Sequence, residues 1–144
     1  MDFTCTLFVI WGEWGLFQGY ERRSFYGMHH AMKGDRDMFI ETKTIQVKEG
    51  TSQLVVDRFS GEGIIEKSEG FIDLSICVKK VSRGDEEVVI LIRWESEEAW
   101  KKWETSEAHI EGHRQSRGKP KPEHILGSQH AVYEVKGIKT FVKA

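Results

Sequence analysis

The sequence predicts an α+β fold whose elements run β-α-β-β-α-β, the ferredoxin-like order. Three observations predict it. A run with β-branched residues at alternate positions stops at Gly50 and leads into a stretch with helical spacing. Two apolar runs separated by "RGDEE" read as a hairpin. Two polar helical stretches, each opened by Ser-Glu, then precede a last alternating segment.

The elements begin at Met38. "MFIETKTIQVKEG" is a strand by its alternation, and Thr51 and Ser52 offer N-caps to the helix "QLVVDRFSGEG", where Leu54, Val55, Arg58 and Phe59 recur at helical spacing. "FIDLSICVKK" alternates as a half-buried strand, while "VVILIRW" is apolar almost throughout, as a central strand covered on both faces would be. Ser96 and Ser106 each precede an acidic first turn, so two short helices are expected with a break at Thr105-Ser106. "GHRQSRGKPKPEH" carries both prolines and reads as a loop. "HAVYEVKG" is the last strand, and "IKTFVK" could add an edge or reach a partner.

Upstream of Met38 the patterning fails. "GYERRSFYGMHHAMKGDRDMF" follows neither a period of 2 nor one of 3.6. Lys33-Gly34-Asp35 can be encoded as AAA GGA GAT, which contains the ribosome-binding sequence AGGAG just before the Met38 codon. Residues 1–37 are therefore expected to be a translated leader or an N-terminal extension, with the domain spanning residues 38–144, and His29 and His30 receive no functional role.

Composition excludes several function classes. At 144 residues the chain is one domain's worth. A net charge of −2 with 31% charged residues is no polyanion-binding balance, so nucleic acid is not expected as a partner. Cys5 and Cys77 have no CxxC spacing, which suits a reduced cytoplasmic protein. The most apolar stretch, "FTCTLFVIWGEWGLF", lies behind Asp2 and is broken by Glu13, so neither a signal peptide nor a membrane span is expected.

The chemistry-bearing residues gather in "WKKWETSEAHIEGH", residues 100–113. On one uninterrupted helix Trp103 and His113 would lie about 80° apart around the axis and about 15 Å apart along it. A break at Thr105-Ser106 would let indole and imidazole face one pocket from different sides. Such a pocket suits a planar, hydrophobic, metal-bearing ligand, because imidazole is a usual proximal ligand of haem iron. Trp94 and Trp100 are expected in the core. His109 and His113 have the i, i+4 spacing of a zinc-binding helix but lack the glutamate of HExxH and an evident third ligand. His124 and His130 are expected on the surface. Arg114, Arg117, Lys119 and Lys121 are a solvated loop or a contact for ligand carboxylates. GxSxG, GxGxxG after a strand and GxxxxGK[ST] are all missing.

Three stretches carry a resemblance: "KEGTSQLVVDRFSGEGIIEKSEGFIDLSI", "GDEEVVILIRWESEEAWKKWETSEAHIEGH" and "RGKPKP". Residues 38 to about 136 resemble the IsdG-type haem-degrading monooxygenases, within the antibiotic-biosynthesis-monooxygenase superfamily, and most closely the HmoA branch found in Bacillus. The resemblance implies a homodimer whose sheets form an α+β barrel, with one haem per subunit in a cleft between helix and sheet. His113 takes the place of the proximal iron ligand and Trp103 that of the tryptophan that ruffles the porphyrin. Haem serves as both cofactor and substrate, oxygen enters at a meso carbon, and external electrons from a reductase and O2 are needed. The haem propionates would meet Arg114, Arg117 and Lys119. The family's distal asparagine falls on Lys43, and no asparagine occurs in the chain. A flexible ammonium is a different hydrogen-bond donor from a fixed amide.

The expected function is oxidative opening of haem with release of iron and a linear tetrapyrrole, His109 being the reserve ligand. Two rivals stay open. A cofactor-free oxygenase of a small aromatic or quinol would show no Soret band, and a non-catalytic haem-binding protein would keep its Soret band under a reductant in air.

Overall fold

The computed structural model describes residues 37–143. The expected leader, but for Asp37, lies outside the described residues, as do His29, His30 and Cys5.

The elements are β1 (Phe39–Val47), α1 (Ser52–Ser60), β2 (Phe71–Val78), β3 (Glu86–Trp94), α2 (Glu97–Glu104), α3 (Glu107–Ser116) and β4 (Ile125–Glu134), with a 3-10 turn at Ile65–Lys67. The strands form one antiparallel sheet in the order β2-β3-β1-β4. This is the expected ferredoxin-like topology.

Alternation explains β1. Phe39, Ile45 and Val47 point to the same side as Val88, Ile90, Ile92 and Trp94 of β3, and all seven are buried. α1 seals this face with Val55 and Phe59, and α2 with Ala99 and Trp103, each pair one helical turn apart. α1 packs on β2 and β3, α2 on β3 and α3. β3 is central, as expected, but only one of its faces is buried; Val89, Leu91 and Arg93 on the other are half-buried.

Several local expectations need correction. Thr51 is the N-cap residue of α1, as expected, but makes no side-chain cap: its hydroxyl donates to the Lys48 carbonyl, and that of Ser52, the first helical residue, to Glu86. Leu54 faces solvent, being 53% exposed. α3 runs on to Ser116 through the first part of the expected loop, and β4 starts at Ile125, five residues before the expected His130. His124 pairs its carbonyl with the Lys48 amide, which starts β4 beside the end of β1. Among the described residues no strand follows Glu134, and Phe141 is 90% exposed. No described helix is long and apolar enough to cross a membrane.

Candidate functional site

The core-facing side of β1 carries two charges among its apolar residues. Glu41 is fully buried and Lys43 is 8% exposed. Antiparallel pairing sets Lys43 between Ile90 on β3 and His130 on β4. The His130 Nε2 lies 2.7 Å from one Glu41 oxygen, Oε1, while the other, Oε2, is buried without a hydrogen-bond partner. His130 is exposed, as expected, but its ring also reaches the buried Glu41, which the sequence did not foretell. Burial, helped by the nearby Arg58 cation and opposed by Glu41, pulls the Lys43 ammonium down to a pKa of about 8.

The corner between α2 and α3 builds the opposite wall. Ser106 ends one helix and begins the next: its hydroxyl donates to the Trp103 carbonyl and accepts from the His109 amide. Ser96 caps α2 in the same way through the Ala99 amide. The predicted break thus exists, but its result differs from expectation. Trp103 and His113 do not face one pocket from different sides; His109 stands between them. Trp94, Trp103, His109 and His113 form a continuous stack with successive centroid separations of 6.4, 5.2 and 4.5 Å, the Trp103 and His109 planes being 16° apart. Trp103 is 6% exposed and belongs to the core as well as to the wall. Trp94 is buried as expected, and Trp100 packs against Phe39 at 5.0 Å.

At the outer end of the stack the His113 Nε2 lies 2.6 Å from the His109 Nε2, so one imidazole donates and the other accepts. Behind His109, the Glu104 Oε1 is 3.4 Å from the His109 Nδ1. Burial favours the neutral forms of both partners. It pushes the Glu104 carboxyl up to about 7, with the Glu41 charge adding to the effect. It also brings His109 down to about 4, with His113 adding to that. Burial, then the charges of Lys43 and Arg117, holds His113 below the ordinary imidazole range. An imidazole kept neutral is ready to bind a metal.

The basic residues after His113 separate. Arg117 lies within electrostatic reach of His113, whereas Arg114 is an exposed partner of Glu111 at 2.6 Å. Lys119 donates its amide to the Ser116 carbonyl, in the turn where Gly118 takes a positive φ. Lys121 reaches the Leu126 carbonyl. A separate cavity of about 760 Å³, lined by Phe39, Ser96, Glu97, Glu134 and Lys136 among others, contains no histidine and not Lys43. The site thus unites Lys43, Trp103, His109, His113 and Arg117. Glu41, Glu104, His130 and Arg58 escaped sequence reasoning. For Glu41 a signal existed: it shares its strand parity with Phe39, Ile45 and Val47, so a period of 2 puts it on the buried face.

A four-stranded sheet backed by helices on one side, with a half-buried imidazole of lowered pKa within electrostatic reach of a buried lysine, defines a small α+β protein with a candidate site between helix and sheet. The chain belongs to the antibiotic biosynthesis monooxygenase family, whose profile matches residues 38–115. It is similar to the heme-degrading monooxygenase HmoA of Bacillus subtilis (strain 168), with 52% identity over 102 residues that cover 71% of this chain and 94% of that protein. A crystal structure from Bacillus cereus described as an antibiotic biosynthesis monooxygenase superposes with a TM-score of 0.66 at 67% identity, covering 74% of this chain and 99% of that one. The heme-degrader MhuD from Mycobacterium tuberculosis, with two hemes bound, shares the fold at a TM-score of 0.52 and 23% identity over 71% of this chain and 99% of that one.

Proposed function

We propose that this chain is a haem-degrading monooxygenase that takes haem as its substrate, opens the porphyrin at a meso carbon and releases iron and a linear tetrapyrrole. The observation that carries the reading is His113, a half-buried imidazole of depressed pKa at the open end of an aromatic stack, within electrostatic reach of Lys43 on β1. The 52% identity to a heme-degrading monooxygenase supports it.

The donor set fits the ligand. His113 supplies one imidazole nitrogen for iron, and the stacked rings give a flat apolar wall. Ligation through the His113 Nε2 requires its contact with the His109 Nε2 to open, because that nitrogen cannot serve both. Trp103, stacked behind His109, would press on the macrocycle only once the His109 ring moves aside, while Lys43, two residues from the buried Glu41, would donate from β1. Arg117, within electrostatic reach of His113, would meet a propionate, and Arg114 and Lys119 would join it only if Arg114 exchanged Glu111 for the other propionate. Bound haem supplies both the iron at which O2 is reduced and the carbon that is oxidised, with electrons from an external donor such as a reductase.

The same reading includes a homodimer in the cytoplasm. The helices cover one face of the sheet; the other presents Ile40, Val89, Leu91 and Ala131 among threonines and glutamines, a surface that a second sheet would cover. The activity test is aerobic incubation of the haem-loaded protein with ascorbate and catalase. Loss of the Soret band with release of iron is expected; a Soret band that persists would leave a haem-binding protein without chemistry.

A further inference from the structure

His109 and His113 lie one turn apart on α3, and their Nε2 atoms converge to 2.6 Å with ring centroids 4.5 Å apart. Two histidines one turn apart on one helix face are the pair with which a helix binds a transition-metal ion, and here the rings, stacked with planes 29° apart, already bring their Nε2 atoms together. Metal–nitrogen bonds of about 2.0–2.1 Å meeting at a tetrahedral angle need the nitrogens roughly 3.3 Å apart, so the rings need open by less than about 1 Å. The Glu104 Oε1 stands 3.4 Å from the Nδ1 of His109 without a hydrogen bond between them, so a small approach with loss of the Glu104 proton would give the carboxylate–histidine–metal arrangement its orienting group. Glu41, with one buried oxygen unpartnered, adds negative charge that offsets part of the positive charge of Lys43, Arg58 and Arg117 around the pair.

We propose that in the haem-free protein His109 and His113 together bind a divalent transition-metal ion of the zinc or ferrous class, with water completing its coordination. Among the described residues no set of three or more histidine, cysteine, aspartate or glutamate side chains is arranged to hold an ion. Two protein nitrogens therefore make an open, exchangeable site, weaker than a four-ligand structural one. The His113 nitrogen cannot hold this ion and haem iron together, so the two compete. Resting on the haem reading, a consequence follows: iron freed by ring opening has His109 beside it as a second nitrogen before it leaves.

The test is calorimetric titration of the full-length, tag-free, haem-free chain with Zn2+, alongside His109→Gln and His113→Gln. His113 is half-buried, so its variant keeps the fold even where that of the buried His109 does not. Saturation at one ion per chain is expected, with affinity lowered roughly tenfold or more in each variant, and with Zn2+ weakening haemin binding. Absence of saturable binding, or equal binding by the wild type and both variants, would overturn the site. Zinc binding by a chain that gives no Soret band would uphold the metal site and sink the haem reading; a Soret band without zinc binding would do the reverse.

Discussion

Lys43 and the Glu104–His109 pair set the electrostatics of the site, and each makes a prediction of definite sign. The Lys43 charge helps to hold the His113 pKa down. In Lys43→Met that pKa rises toward the ordinary imidazole value, so protons compete better with iron and the acid limb of haemin binding moves to higher pH. A limb that stays in place in a spectrophotometric pH series would remove Lys43 from the neighbourhood of the ligand. Glu104 has a folded pKa of about 7 against an ordinary 4.5, so its contribution to stability is present below pH 4.5 and is lost as pH rises toward 7. His109, lowered from 6.5 to about 4, behaves oppositely: its contribution is present above pH 6.5 and is lost as pH falls toward 4. In the haem-free wild type the two slopes largely cancel. Glu104→Gln should therefore be more stable at pH 7 than at pH 5 by about 2 kcal/mol in urea melts, and His109→Gln should change in the opposite sense by less, because His113, also held low, keeps a slope opposing that of Glu104. Parallel slopes in the two variants would contradict the neutral pair. None of this was legible from the spacing of the histidines. Periodicity puts His109 and His113 on one helix face but does not show which ring stands next to Trp103.

At the scale of elements, the caps and the alternation were legible because their causes are local. Ser96 and Ser106 each announce a helix through one hydroxyl and the amide three residues on. The end of α3 and the start of β4 were not, because the expected loop was read from Gly112, the prolines and the basic residues, whereas the elements follow from helix propagation and from pairing with β1. Gly70 shows the same dependence on tertiary context. It leads into β2 with φ +83°, and a Cβ there would lie 2.4 Å from that of Ala99 on α2. Gly70→Ala thus combines left-handed strain of about 1–3 kcal/mol with displacement of α2. Trp94, fully buried between Phe71 and Trp103, is the larger test. Trp94→Ala should cost about 3–5 kcal/mol in equilibrium unfolding. Trp94→Phe should cost much less, because the buried indole N–H that it removes has no hydrogen-bond partner. Equal losses in the two variants would mean that ring volume is not what stabilises the corner.

For the whole molecule, topology and family were legible from element order and from the "RWESEEAWKKW" and "EAHIEGH" stretches, which the fold brings together at one corner. The stack itself was not, since it depends on how α3 turns back against α2. The half-buried outer face of β1 and β3 predicts assembly: Leu91→Glu, on that face, should shift a dimer to monomer in sedimentation while leaving the helix-covered core folded. A wild type that sediments as a monomer would refute the barrel. The central claim is that His113 carries haem iron between α3 and β1. Its most direct test is haemin titration of the wild type and His113→Ala, read at the Soret band. Saturation at one or more haems per chain in the wild type, with the band lost or strongly weakened in the variant, is the predicted result; identical spectra and affinities for the two proteins would contradict it.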